Sequence, residues 1–211
     1  MIKKTLAWLA LATAIINNAH SSLEWRIAPY SEIANEVRAY CQEKEQQWFY
    51  VPITNEKGWL ARIEGGETYV YYVREKSDFE KLGNFEKIII AHCHVKNDNI
   101  DEVVDRITVS GSDIRMSFED TSFFYPTDVI NEIYTPSGKY TIKIKNGDEK
   151  KIDELYYAIG KWKMNQWIEL KYNPETKLKP EQIPRLFVDF LIKKANEVKV
   201  ELEIEFKQFE Q

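Results

Sequence analysis

The chain has 211 residues, 44% hydrophobic and 30% charged, with a net charge of −5 at neutral pH. That is enough apolar material for a buried core and, once an N-terminal leader is set aside, a length that fits one domain. Charges of both signs are interspersed with no basic stripe, which argues against a nucleic-acid partner.

Residues 1–21 read as a secretory signal peptide. Lys3 and Lys4 give the charged start, residues 5–16 (TLAWLALATAII) the apolar run, and NNAHSS the small polar end. Ala19-His20-Ser21 has small residues at both positions a cleavage site requires, and Ala14 and Ala19 offer earlier cuts. The apolar run is short beside the about 20 residues of a membrane span. An uncut leader acting as an anchor is the alternative, and no later run is apolar enough to cross a bilayer. No cysteine directly follows the run, so a lipoprotein anchor is excluded. The expected address is the bacterial periplasm or the exterior, with residues 22–211 as a single domain, off the membrane once the leader is cut.

Residues 31–48 (SEIANEVRAYCQEKEQQW) have helical periodicity, with Ser31 as N-cap and Ile33, Val37, Tyr40 and Cys41 on one face. Residues 49–53 and WLARI (59–63) read as strands. Gly65-Gly66 signals a turn, and TYVYYVR (68–74), β-branched and aromatic, a third strand. Its tyrosines, Tyr69, Tyr71 and Tyr72, fit core and sheet face. Residues 77–82 form a short helix closed by Gly83. The run at 86–95 is continuously apolar and belongs in the middle of a sheet.

Residues 97–107 are acidic, with room for a short helix, and Ser110 opens another. Residues 129–135 and 139–145 read as strands joined by Pro136-Ser137-Gly138, and 148–162 as a helix. KWKMNQW (161–167) has two tryptophans suited to covering the sheet edge. Residues 181–198 form an amphipathic helix. Val198, Val200, Leu202, Ile204 and Phe206 then alternate with charges, as on a half-exposed strand. The fold class is α+β, a mixed sheet flanked by helices.

Two of the three histidines lie in IIIAHCHV (88–95). Alternation along a strand turns His92 and His94 to one face and Cys93 to the other. Two such imidazoles can share a zinc ion, which in a catalytic site takes a third protein ligand and keeps one open position. Asp113, in the first turn after Ser110, supplies that carboxylate where a helix N-terminus favours negative charge. Asp98, Asp101 and Asp105 are alternative third ligands. The Ser110 hydroxyl can stabilise an oxyanion or simply cap the helix. Glu56, at the turn into WLARI, is the candidate general base, with Glu64 and Glu67 nearby. Cys41 and Cys93 can pair in an oxidising compartment. Cys93, lying between the histidines, reads instead as a small buried hydrophobe.

A glutamate in an N-terminal strand, then His92-Cys93-His94, then Ser110-Gly111-Ser112-Asp113, resembles the motif of the JAB/MPN (JAMM) metalloproteases, in their secreted bacterial branch. TNEKGWLARI, GETYVYYV and IYTPSGKYTIKI resemble the family's flanking strands, and the likeness covers residues 31–145. It implies a cytidine-deaminase-like sandwich holding one Zn²⁺ through His92, His94 and Asp113, with Glu56 and Ser110 catalytic. The activity implied is hydrolysis of peptide or isopeptide bonds in a peptide or protein substrate. Three features depart from the pattern: Val95 replaces a common proline, Cys93 a Ser, Thr or Asn, and the gap from His94 to Ser110 is long. The other function class open to this sequence is a non-catalytic secreted binding protein, an immunity, inhibitor or envelope assembly factor on the same or a degenerate scaffold.

Overall fold

The computed structural model describes residues 23–41, 44–65, 74–95, 103–173, 175 and 178–209. The leader, the strand expected over 68–74 apart from Arg74, and Glu67, Asp98 and Asp101 lie outside the described residues. Among the described residues, no helix is long and apolar enough to cross a membrane.

Among the described residues, seven strands form one open mixed sheet in the order β1-β3-β2-β4-β5-β6-β7. They are β1 (Arg26–Ala28), β2 (Gln46–Pro52), β3 (Gly58–Glu64), β4 (Lys87–Cys93), β5 (Asp128–Thr135), β6 (Gly138–Asn146) and β7 (Glu201–Gln208). The histidine strand β4 is the middle one, buried along nearly its whole length as its apolar run predicts. Its pairing with β5 is parallel, whereas every other pair is antiparallel. A parallel neighbour requires a crossover. Among the described residues it contains two helices, α3 (Val103–Ile107) and α4 (Gly111–Phe124), which follow the carboxyl end of β4.

The other helices are α1 (Ser31–Tyr40), α2 (Ser77–Glu80), α5 (Glu149–Tyr172) and α6 (Ile183–Val198), the last preceded by a 3₁₀ turn at Pro180–Gln182. Ile114 of α4, Leu155 and Ile159 of α5, and Phe187 and Leu191 of α6 pack on Ile133, Tyr140 and Ile142 of the sheet. The opposite face carries α1, whose Ile33 packs with Trp48, Tyr50, Leu60 and Ala91. Side chains from β6 alternate inward and outward, and β7 pairs along it with Leu202, Ile204 and Phe206 opposite Ile144, Ile142 and Tyr140. Between α6 and β7 the chain reverses through Lys199, whose φ of +59° is left-handed.

Several expectations are corrected. Helix α1 ends at Tyr40, not at 48, because Gln46 and Gln47 are taken into β2 between two antiparallel partners. Polar residues of good helix propensity thus serve as strand, since pairing outweighs propensity. Ser31 does not cap α1, which starts from Tyr30 without a side-chain cap. Tyr40 is exposed, its ring lying 3.8 Å under the Arg62 guanidinium. Helix α5 continues past residue 162 to Tyr172. Its tryptophans pack on helices and not over the sheet edge: Trp162 meets Phe187 and Phe190, and Trp167 joins the Val104–Ile107–Ile183 cluster. Cys41 and Cys93 form a disulfide, with Cα atoms 6.3 Å apart. Cys93 does point away from the histidines, as alternation requires, and that side is where the end of α1 brings Cys41.

Candidate metal centre

The site grows from the junction of β4 with the crossover. His92 lies in the buried run of β4, which ends at Cys93, and His94 follows just past the strand, its N–H donating to Tyr134 O of β5 at 2.8 Å. The two rings share one face, with centroids 5.3 Å apart. The helix that follows turns its N-terminus toward them. Ser110 caps α4 through a reciprocal capping box: its Oγ accepts from Asp113 N at 3.1 Å, and its own N–H donates to Asp113 Oδ2 at 2.6 Å. Asp113 is therefore fixed in place by the helix start itself.

Its carboxylate meets both rings. His92 Nε2 lies 3.1 Å from Asp113 Oδ1, and His94 Nε2 3.4 Å from Oδ2. One ligand atom from each of the three residues falls within 4.8 Å of the others. Burial by itself would push the Asp113 carboxyl up, but the two imidazoles outweigh it and hold the group well below its usual range. Burial would also lower His92, but the Asp113 and Glu45 carboxylates raise it overall. Two imidazoles and a carboxylate, enclosed and converging, are a donor set that can hold a divalent metal ion.

Gly111 allows this approach. A Cβ there would lie 2.9 Å from Tyr156 O and 3.0 Å from Tyr156 Cα, so the start of α4 is seated directly on the backbone of α5. Farther along α4, the buried positions Asp113, Ser117 and Asp120 follow helical spacing and give the helix a polar inner stripe, which ends at the apolar Phe124. Asp120 is ion-paired with Arg74, yet burial pushes its carboxyl up to about 7.

No family model, curated protein or solved structure matches this chain.

Of the residues singled out from sequence, His92, His94, Asp113 and Ser110 come together. Glu56 does not. It is exposed in the β2–β3 turn, its N–H donating to Thr54 Oγ1 at 3.2 Å. In the β2–β4 register Gln47 is opposite His92 and Tyr50 opposite Ile89. Glu56 thus lies beyond the far end of β2, at about 3.3 Å of rise per residue away from the histidines. Glu64 is exposed and paired with Lys44 at 2.7 Å. Asp105 turns to Lys163 of α5, 3.0 Å away, and stays largely exposed.

The further carboxylate whose charge acts on the centre is Glu45. It is buried, and Arg106 Nη1 of α3 lies 3.4 Å from its Oε1. Burial raises its pKa, against the charges of His94 and His92 that pull it down. Its backbone is fixed as well, since Gly65 N donates to Glu45 O at 2.9 Å. In the sequence Glu45 sits inside QEKEQQW, where a polar helix end is the natural reading. The signal that finds it is pairing: Gln47 stands opposite His92, and Glu45 lies two residues before Gln47.

Proposed function

We propose that this protein is an exported zinc-dependent hydrolase of peptide or isopeptide bonds, built on a JAB/MPN-like arrangement. The observation that carries the reading is the convergence of His92, His94 and Asp113 from a strand end and a helix start, with a buried Glu45 in the same field. A zinc ion held by the three ligands supplies Lewis acidity, polarising a substrate carbonyl and lowering the pKa of a water.

The remaining chemistry falls to the chain. His92 and His94 serve as neutral donors, kept in line by β4, while Asp113 is held by the cap of α4. Glu45 takes a proton from the attacking water and delivers it to the departing amine, the two halves of general base and acid catalysis. Burial raises its pKa above the ordinary carboxylate value, which favours a group that takes up a proton and gives it back. Arg106 keeps the Glu45 carboxylate oriented. Ser110, whose Oγ accepts from Asp113 N, retains its hydroxyl hydrogen for the developing oxyanion. Export follows from the leader at residues 1–21.

Elemental analysis of residues 22–211, beside a His92→Ala/His94→Ala double variant, tests the reading. About one zinc per chain, lost in the variant, is expected, together with cleavage of a peptide library. A folded protein that takes up no metal when zinc is supplied would overturn the hydrolase and leave a binding protein in its place.

A further inference from the structure

Helix α5 has one side in the core, where Ile152, Leu155 and Ile159 are buried and Trp162 packs on Phe187 and Phe190 of α6. At 3.6 residues per turn, the opposite side is the one that should be polar. It instead carries Tyr157, Met164 and Ile168, exposed by 72%, 55% and 42%. Tyr157 stands edge-on to Tyr156, with ring centroids 5.4 Å apart.

These three belong to a longer pattern. Glu154, Tyr157, Lys161, Met164, Ile168 and Lys171 are all exposed and follow one another at intervals of three, four, three, four and three residues. Alternating threes and fours make the seam between two packed helices. The series of intervals reads the same in both directions, so an identical helix running the opposite way matches it position for position. Glu154 then meets Lys171 of the second copy, Tyr157 meets Ile168 and Lys161 meets Met164, and two-fold symmetry repeats each pair. A parallel match would set Glu154 on Glu154 and Lys171 on Lys171, so charge selects the antiparallel one. Lys171 is held in place for this role, its Nζ 4.8 Å over the Trp167 ring. The Lys161 stems can lie along Met164 with their ammonium groups at opposite rims of the seam.

Gly160 adds a second observation. A Cβ there would have nothing within 4 Å, so no contact within the chain requires a glycine in mid-helix. A second helix lying close along this side gives it a purpose, because the missing side chain lets the backbones approach.

We propose that the outer face of α5 is a self-association surface, on which a second copy of this chain packs its own α5 antiparallel in an isologous dimer. The proposal is independent of the hydrolase reading. One helix pair is a small interface, so association is reversible and concentration-dependent.

Sedimentation equilibrium of residues 22–211 at low salt tests it. A monomer–dimer equilibrium in the micromolar range is expected. Met164→Glu/Ile168→Glu changes only exposed positions and should leave a folded monomer, with folding checked by circular dichroism. Glu154→Lys and Lys171→Glu should each weaken the dimer at least tenfold, and the double variant, with the charges exchanged, should recover most of that loss. A parent chain that stays monomeric at millimolar concentration overturns the proposal and leaves the stripe to a different partner. A dimer that survives Met164→Glu/Ile168→Glu overturns the surface, and a charge-exchanged double variant as weak as the single ones overturns the antiparallel pairing.

Discussion

Gln47 stands directly opposite His92 across the antiparallel β2–β4 pair, and Glu45 lies two residues before it, just ahead of β2. The buried carboxylate whose charge acts on His92 thus comes from the residue just before β2, while Glu56, eleven residues later, is carried past the other end of that strand.

Glu45→Gln should bind zinc at unchanged stoichiometry and lose about 10²- to 10⁴-fold in kcat, the usual worth of a general acid–base group. Glu56→Gln, in an exposed turn, should stay within about twofold of the parent, the scatter expected where nothing is touched. Steady-state kinetics with parallel metal analysis separates the two. Full activity in Glu45→Gln would remove it from the mechanism.

Asp113 closes the capping box and also faces both imidazoles. Asp113→Asn keeps an oxygen able to accept from Ser110 N but loses the charge. Its zinc affinity should fall by more than tenfold while the cap survives. Asp113→Ala should lose the metal and, in addition, about 1 kcal/mol of stability from the broken cap. Zinc titration and thermal melting of the metal-free variants read the two effects apart. Equal zinc affinity in the asparagine variant and the parent would rule out Asp113 as a ligand.

Gly111→Ala brings a methyl against the backbone of Tyr156, which cannot move aside as a side-chain tip can. Alanine's better helix propensity, about 1 kcal/mol, works the other way. The clash should win: the variant should melt lower and bind zinc less tightly, because Asp113 lies on the displaced turn. A higher melting temperature with unaltered zinc affinity would show that the helix start tolerates the shift.

In the metal-free protein His92 and Asp113 form a pH-dependent pair. The folded pKa of His92 is raised, so its contribution is complete below the unfolded value of about 6.5 and is lost as pH rises through the folded value. That of Asp113 is depressed, so its contribution is present above about 3.9 and disappears as pH falls through the folded value. Melting temperatures in chelator should therefore decline from about pH 6 toward pH 8 through this pair. Zinc must displace the His92 proton, so its affinity should strengthen over the same range. Zinc affinity independent of pH between 6 and 8 would contradict the pairing.

The disulfide spans 52 residues of sequence. Closing a loop of that size restricts the unfolded chain by about 4 kcal/mol on the entropic account. Cys41→Ala/Cys93→Ala should lower the melting temperature by roughly 10 °C, given about 2–4 °C per kcal/mol at this length. Differential scanning calorimetry measures it. A shift below about 2 °C would mean that native strain cancels the loop term.

Much of this architecture is legible from local pattern. The apolar run before His92 predicts a central strand because only a strand buried on both faces has no polar positions. The alternation from residue 200 onward predicts β7 because a half-exposed strand repeats every two residues. His92, His94, Ser110 and Asp113 stand out because a strand period and a helix cap are short-range rules. Glu45 escapes those rules: its neighbours are polar, and their helix propensity is overridden only when β2 pairs with β3 and β4.

By itself the sequence determined the α+β class, the convergence of two histidines on one strand face and the carboxylate at a helix start, since each follows from the geometry of a single element. Tertiary structure alone decided which glutamate approaches them, that Cys93 is bonded to Cys41, and that Gly111 must stay small. Each of these depends on strand register or on the contact of elements far apart in the chain, and neither is encoded in the spacing of neighbouring residues.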